Sequence, residues 1–299
     1  MKYVITGGAG NISRPLSEKL LAAGQQVTVI GRNAEHLEPL TKKGAVAAIG
    51  SVEDAGFLKE TFEGADAVYT MVPPKYDITS DWKGHIGQVG INYRDAIRES
   101  SIKYVVNLSS IGAHLPSGCG PVSGLYKVEA ALNELRDVNV KHLRPSFFFV
   151  NLLSNIPLAK NNNIIGGNFG NGDFKIVLTD TNDIAEVAAE ELLLHNFKGH
   201  SVRYIASDEP TTTEVAEKIG AAIGKPGLKW ITFNDEEAFE GIKQAGLPEE
   251  IARNYAEMGH AINSGRFQED YWKNRPEVLG KTKLEDFAKT FASIYNAGS

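Results

Sequence analysis

Tyr3-Val4-Ile5-Thr6-Gly7-Gly8-Ala9-Gly10-Asn11-Ile12 is an apolar strand running directly into a glycine-rich turn, and an amphipathic stretch follows it. Glycine lets the backbone turn tightly and approach a ligand closely, while the first free N–H groups of a helix point at negative charge. The arrangement is that of a cradle for the diphosphate of a nucleotide. The context supports this reading. Ile12, Leu16, Leu20 and Ala23 fall on one helical face, Gly24 closes the helix, and a second strand, Gln26-Val27-Thr28-Val29-Ile30, follows at once. Ser13 stands where the strict glycine pattern has its last glycine, the one that serves close packing of helix on strand.

The end of the second strand speaks to the coenzyme. A site for NAD places Asp or Glu there, where the carboxylate accepts bonds from the adenosine ribose. This chain has Gly31-Arg32-Asn33 instead. An arginine fork at that position suits a 2′-phosphate, so the expected cofactor is NADP(H).

The strand-and-helix alternation then repeats. Helices are expected around Leu37 and Leu40 and around Leu58 and Phe62, with strands at Val46–Ile49 and Ala67–Met71. Ser51 and Asp54 read as a capping pair for the third helix. Ile86, Val89, Tyr93 and Ile97 mark a fourth helix, Tyr104–Leu108 a fifth strand, Leu125, Val128, Leu132 and Leu135 a fifth helix, and Val140–Arg144 a sixth strand ending at Pro145. The fold class is therefore α/β: a doubly wound parallel sheet of the Rossmann kind with a smaller carboxy-terminal α/β substrate lobe. Residues 1–150 are expected to form the NADP(H)-binding domain and residues 151–299 the smaller lobe, with some later segments returning to the sheet. The stretch Asn161 to Gly172 reads as a hairpin, Asp183 as a helix cap, and helices are expected around Val215 and from Asp235 to His260.

Three strand ends should meet at the cleft, since ligands of open α/β sheets bind at the carboxyl ends of the strands. The fourth delivers Met71-Val72-Pro73, the fifth Ser109-Ser110, the sixth Pro145-Ser146-Phe147-Phe148-Phe149. Expected contacts to the dinucleotide are Gly7, Gly10, Asn11, Ile12, Arg32, Met71, Val72, Pro73, Ser109, Lys127 and Pro145. Phe147, Phe148 and Tyr76 are candidate walls for a flat substrate, with Phe149 and Trp82 as further aromatic candidates. Lys127 is the candidate catalytic residue, as a ribose contact or a source of the proton. A tyrosine four residues before such a lysine would share its helix face and serve as general acid, but Ser123 occupies that place. Tyr126 projects about 100° away. His114 and Cys119 are weaker candidates that read as a loop histidine and an inert thiol. No metal-ligand spacing and no hydrolase elbow is present.

With 299 residues, 42% of them hydrophobic, the chain can bury a substantial core, and a net charge of −6 speaks against general nucleic-acid binding. One cysteine allows no internal disulfide, no apolar stretch is long enough to span a bilayer, and the first strand begins at residue 3 without a signal segment. A cytoplasmic protein is expected, acting on a small molecule, with no nucleic-acid or membrane partner and an open oligomeric state.

The chain resembles the NmrA-like members of the atypical short-chain dehydrogenase/reductases, a group that includes quinone and dye reductases and cofactor-sensing regulators. The resemblance rests on TGGAGNIS from Thr6, GRN from Gly31, YKVEAALNEL from Tyr126, HLRPSFF from His142, TDTNDIAEVAAEEL from Thr179, TTTEVAEKIGAAIGKP from Thr211 and GLPEEIAR from Gly246. It implies phosphate contacts from Gly7, Gly10, Asn11 and Ile12, a 2′-phosphate contact from Arg32, and nicotinamide-side roles for Val72, Ser109 and Lys127. Ser13 and Ser51 depart from the group's pattern. The function expected is an NADPH-dependent oxidoreductase passing hydride to a flat, aromatic or quinone-like electrophile. The alternative is a non-catalytic NADP(H)-binding redox sensor, which the missing tyrosine motivates equally.

Overall fold

The computed structural model describes residues 1–297. Its frame is a seven-stranded, wholly parallel sheet built from β1 (Lys2–Ile5), β2 (Gln26–Gly31), β3 (Val46–Ile49), β4 (Ala67–Thr70), β5 (Tyr104–Leu108), β6 (Asn139–Pro145) and β10 (His200–Ile205). The spatial order is β10-β6-β5-β4-β1-β2-β3. The order reverses between β1 and β4, which opens a crevice at their carboxyl ends.

Helices α1 (Ser13–Ala22), α2 (Ala34–Thr41), α3 (Ala55–Phe62), α4 (Trp82–Arg98) and α5 (Val122–Leu132) follow successive strands. A parallel sheet is buried on both faces, and the sequence supplies two apolar layers to do it. Leu16 and Leu20 of α1 and Leu37 and Leu40 of α2 cover one face; Leu58 and Phe62 of α3, Val89 and Tyr93 of α4 and Val128 and Leu132 of α5 cover the other. Asp54 alone caps α3, accepting the Phe57 N–H, while Ser51 Oγ accepts the Glu53 N–H, so the expected pair does not act jointly on the helix.

After β6 come β7 (Phe147–Phe148), α6 (Ile156–Asn162), β8 (Ile164–Gly167), β9 (Leu178–Thr179) and α7 (Thr181–Leu194). The hairpin expected at Asn161 to Gly172 is absent: β8 pairs in parallel with β11 (Lys229–Thr232), more than sixty residues on, and Gly166 serves the close approach of the Ile231 backbone there, not a turn. Asp180, not Asp183, caps α7, accepting the Asn182 N–H; Asp183 is buried and accepts from Ser207 Oγ and the Thr282 N–H. Through α7 the chain returns to the first apolar layer, where Ile184, Ala188 and Leu192 pack, and β10 then extends the sheet beside β6 with Val202 opposite His142.

The remaining elements are α8 (Thr212–Ala222), α9 (Asp235–Gln244), α10 (Glu249–Asn263), α11 (Glu269–Lys273) and α12 (Leu284–Ala297). Of these, α8, α10, α11 and α12 share a separate core containing Phe149, Leu178, Ile219, Phe267 and Phe291, while Phe239 of α9 packs on Ala252 and Ala256 of α10. This part rests on the segment that follows β5. Gly120 has φ +55°, and a Cβ there would lie 2.1 Å from the Asn254 carbonyl oxygen of α10, so close contact fixes the helix above the strand ends.

Candidate functional site

The cradle closes as its sequence requires. Gly7 has φ +90°, and an added Cβ would lie 2.5 Å from Ser13 Oγ and 3.0 Å from Met71 Sδ. The Gly10 N–H donates to the Gly7 carbonyl, which completes the turn. Ser13 answers the missing glycine: its hydroxyl is buried and donates to the Thr6 carbonyl at 2.7 Å, tying helix to strand by a hydrogen bond. No side chain caps the start of α1 and no acidic residue lies in its first turn. That leaves an unshielded helix N-terminus beside exposed Gly10 and Asn11, while Ile12 is buried and anchors the turn. These are the donors and the open backbone that a diphosphate needs.

Arg32 is exposed at the end of β2 and has no ion-pair partner among the described residues, so its guanidinium fork is free. Next to it Asn33 caps α2 by accepting the Glu35 N–H. The residues present fit a phosphorylated dinucleotide: an uncapped helix for the diphosphate and an unpaired arginine for a further phosphate.

Met71 is fixed from both sides, its N–H donating to Thr6 Oγ1 at 2.9 Å and its carbonyl accepting the Tyr93 hydroxyl at 2.6 Å. Val72 and Pro73 follow, half-buried, and lead into an irregular segment to Asp81. Lys75 of that segment pairs with Glu53, and Tyr76 joins an aromatic cluster with Trp82 and Tyr255, its ring 6.3 Å from Trp82 and its hydroxyl 3.4 Å from that of Tyr255. Trp82 is buried and serves as packing, as does Phe149, which stacks on Phe287 at 5.2 Å. Phe147 and Phe148 stay half-buried, Phe147 edge-on to Phe169. Pro145 is buried and accepts the Ile111 N–H.

Lys127 lies in the second turn of α5. Its side chain is exposed, and its methylene stem lies against α4, where a Cβ on Gly87 would meet Lys127 Cδ at 2.9 Å. Glu129, two residues on and so about 200° around α5, faces the sheet instead. Ser123, in the place of the absent tyrosine, is buried, its hydroxyl accepting the Cys119 N–H. Cys119 is fully buried, and burial pushes its thiol up to about 12. His114 has both ring nitrogens buried without a partner among the described residues, and burial lowers its pKa.

Sequence reasoning missed what does surround Ser109. Ser109 Oγ donates to Glu129 Oε1 at 2.5 Å, and Arg144 grips the same carboxylate from Nε at 3.0 Å and Nη2 at 2.6 Å. Arg144 Nη1 also donates to the Tyr204 hydroxyl at 2.9 Å and to Asp270 at 3.2 Å. Burial disfavours its charge, but Glu129 more than compensates and holds the guanidinium firmly protonated. A second buried chain links Thr70 to Asn107, Asn107 to His142 and His142 to Asn133. Glu129, Asn133, His142 and Arg144 fall within the YKVEAALNEL and HLRPSFF stretches, but nothing in their spacing pairs them with one another.

A cavity of about 690 Å³ lies beside the cradle, bounded by Gly10, Asn11 and Arg14 and by Thr181 and Asn182 at the start of α7. A larger one of about 970 Å³ runs along the free edge of β10, lined by Arg203, Glu190 and Val278 among others, away from the cradle. Among the described residues no helix is long and apolar enough to cross a membrane.

Residues 7–142 match the family model of NAD(P)H-binding domains. No curated protein matches the chain in sequence. Among solved structures, a nucleoside-diphosphate-sugar epimerase from Staphylococcus aureus superposes with a TM-score of 0.81 at 16% identity, covering 97% of this chain and 100% of that one. An NADPH-dependent quinone oxidoreductase from Escherichia coli, complexed with NADPH, gives 0.79 at 20% identity over 98% and 100%. The triphenylmethane reductase of Citrobacter sp., complexed with NADP(H), gives 0.79 at 21% identity over 97% and 99%. The match over residues 7–142 bears out the NAD(P)H-binding reading of that stretch, and the neighbours bear out the α/β fold.

Proposed function

We propose that the protein is an NADPH-dependent reductase that passes hydride to a flat electrophile such as a quinone. The observation that carries the coenzyme half is the uncapped helix behind Gly7 and Gly10 with unpaired Arg32 at the end of the neighbouring strand. Bound there, NADPH supplies the hydride. Gly10, Asn11 and Ile12 would hold the diphosphate and Arg32 the 2′-phosphate, while Met71, Val72, Pro73, Ser109 and Pro145 would border the nicotinamide.

The absence of a positioned acid supports the substrate class. With Ser123 buried where the tyrosine would stand, α5 carries no tyrosine–lysine pair to protonate a reluctant carbonyl. A quinone needs little such help, because charge arriving with the hydride spreads over its ring and oxygens and water can complete protonation. Placement over the donor then supplies most of the rate. Tyr76, Phe147 and Phe148 are the aromatic surfaces such an acceptor would meet. Limited support for a cytoplasmic location comes from the single cysteine, buried and unable to pair within the chain.

The same missing acid favours a second reading, a sensor that binds NADP(H) and turns nothing over. Mixing the protein with NADPH and a panel of quinones, triphenylmethane dyes and enones, and following nicotinamide absorbance, separates the two. Steady loss of absorbance with a quinone or dye is expected; saturable binding without turnover across the panel would leave the sensor.

A further inference from the structure

The hydroxyl of Ser109 is already committed. It donates at 2.5 Å to Glu129, whose carboxylate is 5% exposed and is held by two bonds from Arg144. Guanidinium N–H groups are donors only, so both Glu129 oxygens face Arg144 as acceptors, and Oε1 accepts from Ser109 as well. Nor can Glu129 swing away: Arg144 is pinned in turn by Tyr204 and Asp270. Ser109 itself is tied to the sheet through its N–H, which donates to the Leu143 carbonyl at 2.8 Å. A serine hydroxyl has one hydrogen and two lone pairs. With the hydrogen spent on a buried carboxylate, what Ser109 offers a ligand is lone pairs alone. Donating to a substrate carbonyl would require breaking a charge-assisted bond, among the stronger hydrogen bonds in proteins.

We propose that Glu129 is a positioning residue that fixes Ser109 as a hydrogen-bond acceptor, and that Ser109 receives the carboxamide N–H of the nicotinamide. This rests on the coenzyme reading above. Of the two reactants in that reading, a quinone has no hydrogen to donate, whereas the nicotinamide ring carries one donor group, the carboxamide NH₂. Accepting from it selects one rotation of the carboxamide and hence one seating of the ring on the strand ends. The tyrosine-free site thus uses its serine to orient the hydride donor, leaving the acceptor unpolarised.

The test is calorimetric binding of three oxidised coenzymes: NADP⁺, its thionicotinamide analogue, which keeps the NH₂, and its 3-acetylpyridine analogue, which has a methyl group in that place. The wild type is expected to bind the acetylpyridine analogue about tenfold more weakly than the other two, the worth of one buried hydrogen bond. In Ser109→Ala the three affinities should converge. In Glu129→Gln the new amide can donate to Ser109 Oγ and free its hydrogen, so the discrimination should shrink there too. If Glu129→Gln does not fold, Ser109→Ala still decides. Equal affinities in the wild type, or discrimination surviving in Ser109→Ala, would overturn the assignment of Ser109. Failure of the wild type to bind any of the three would overturn the coenzyme reading itself and this inference with it.

Discussion

Replacing Glu129 with alanine should be the most damaging single change to the sheet's buried polar layer. The side chains of Glu129 and Arg144 are 7% and 10% exposed, so solvent screens their attraction very little. Removing one partner of such a pair leaves a desolvated charge and costs about 3–5 kcal/mol. Here Arg144 keeps Tyr204 at 2.9 Å and Asp270 at 3.2 Å, which places the expected loss near the lower end, about 3 kcal/mol. Removing both charges is a different matter. Glu129→Met with Arg144→Met fills similar volume without a stranded ion, and Asp270, with a side chain 31% exposed, can turn to water. The double variant should recover at least about 2 kcal/mol of the sum of the single losses. Urea unfolding followed by circular dichroism on the wild type, Glu129→Met, Arg144→Met and the double variant gives the four free energies of the cycle, with Glu129→Ala measured beside them. A loss below about 1 kcal/mol in Glu129→Ala, or simple additivity in the double variant, would refute the view that this pair is mutually dependent.

Three further outcomes are expected. Gly7→Ala puts a side chain at φ +90° with its Cβ 2.5 Å from Ser13 Oγ, so it should cost about 1–2 kcal/mol in strain alone and weaken NADPH binding at least about tenfold, as read by denaturation and titration. Arg32→Glu should lower NADPH affinity by about 10- to 100-fold and NADH affinity by less than about threefold; equal losses would remove Arg32 from the 2′-phosphate. His142, which burial drives down to about 4 from an ordinary 6.5, binds its proton more readily when the chain is unfolded. Its contribution is therefore intact above pH 6.5 and lost as pH falls toward 4, by up to about 3 kcal/mol. The stability of the wild type should fall by about that much more than that of His142→Gln over the interval, and parallel pH curves would contradict it.

The amino-terminal fold was legible because each element announces itself locally. Gly7 to Ile12 sits between two strands, and Leu16, Leu20, Leu37 and Leu40 carry helical spacing into the core where it was expected. Two kinds of feature were hidden. Strand β10 has only Tyr204 and Ile205 fully covered, and as an edge strand it lacks the continuous apolar run of a central one, so nothing local marks its return to the sheet. The cap of α7 was misplaced by three residues because Asp180 and Asp183 are equally plausible caps in sequence, and only the buried Ser207 hydroxyl distinguishes them.

The site divides the same way. The turn at Gly7 and Gly10 was readable from glycine following a strand, and Arg32 stands exposed at the end of the second strand as its place in the sequence suggests. The sequence places Lys127 on the fifth helix, while the phase of that helix is set by how Gly124 and Val128 pack on α4, which spacing alone does not give. Glu129's role was hidden in the sequence because its partners lie 20 and 15 residues away, Ser109 just past the end of β5 and Arg144 on β6. Pairings of that kind belong to the tertiary structure.

The central claim is that the turn after β1 and Arg32 together hold a phosphorylated adenine dinucleotide. Isothermal titration of the intact protein with NADPH and, separately, with NADH tests it most directly. Saturable binding of one NADPH per chain, with clearly weaker binding of NADH, is the predicted result; no heat of binding with either coenzyme on folded protein would contradict the account.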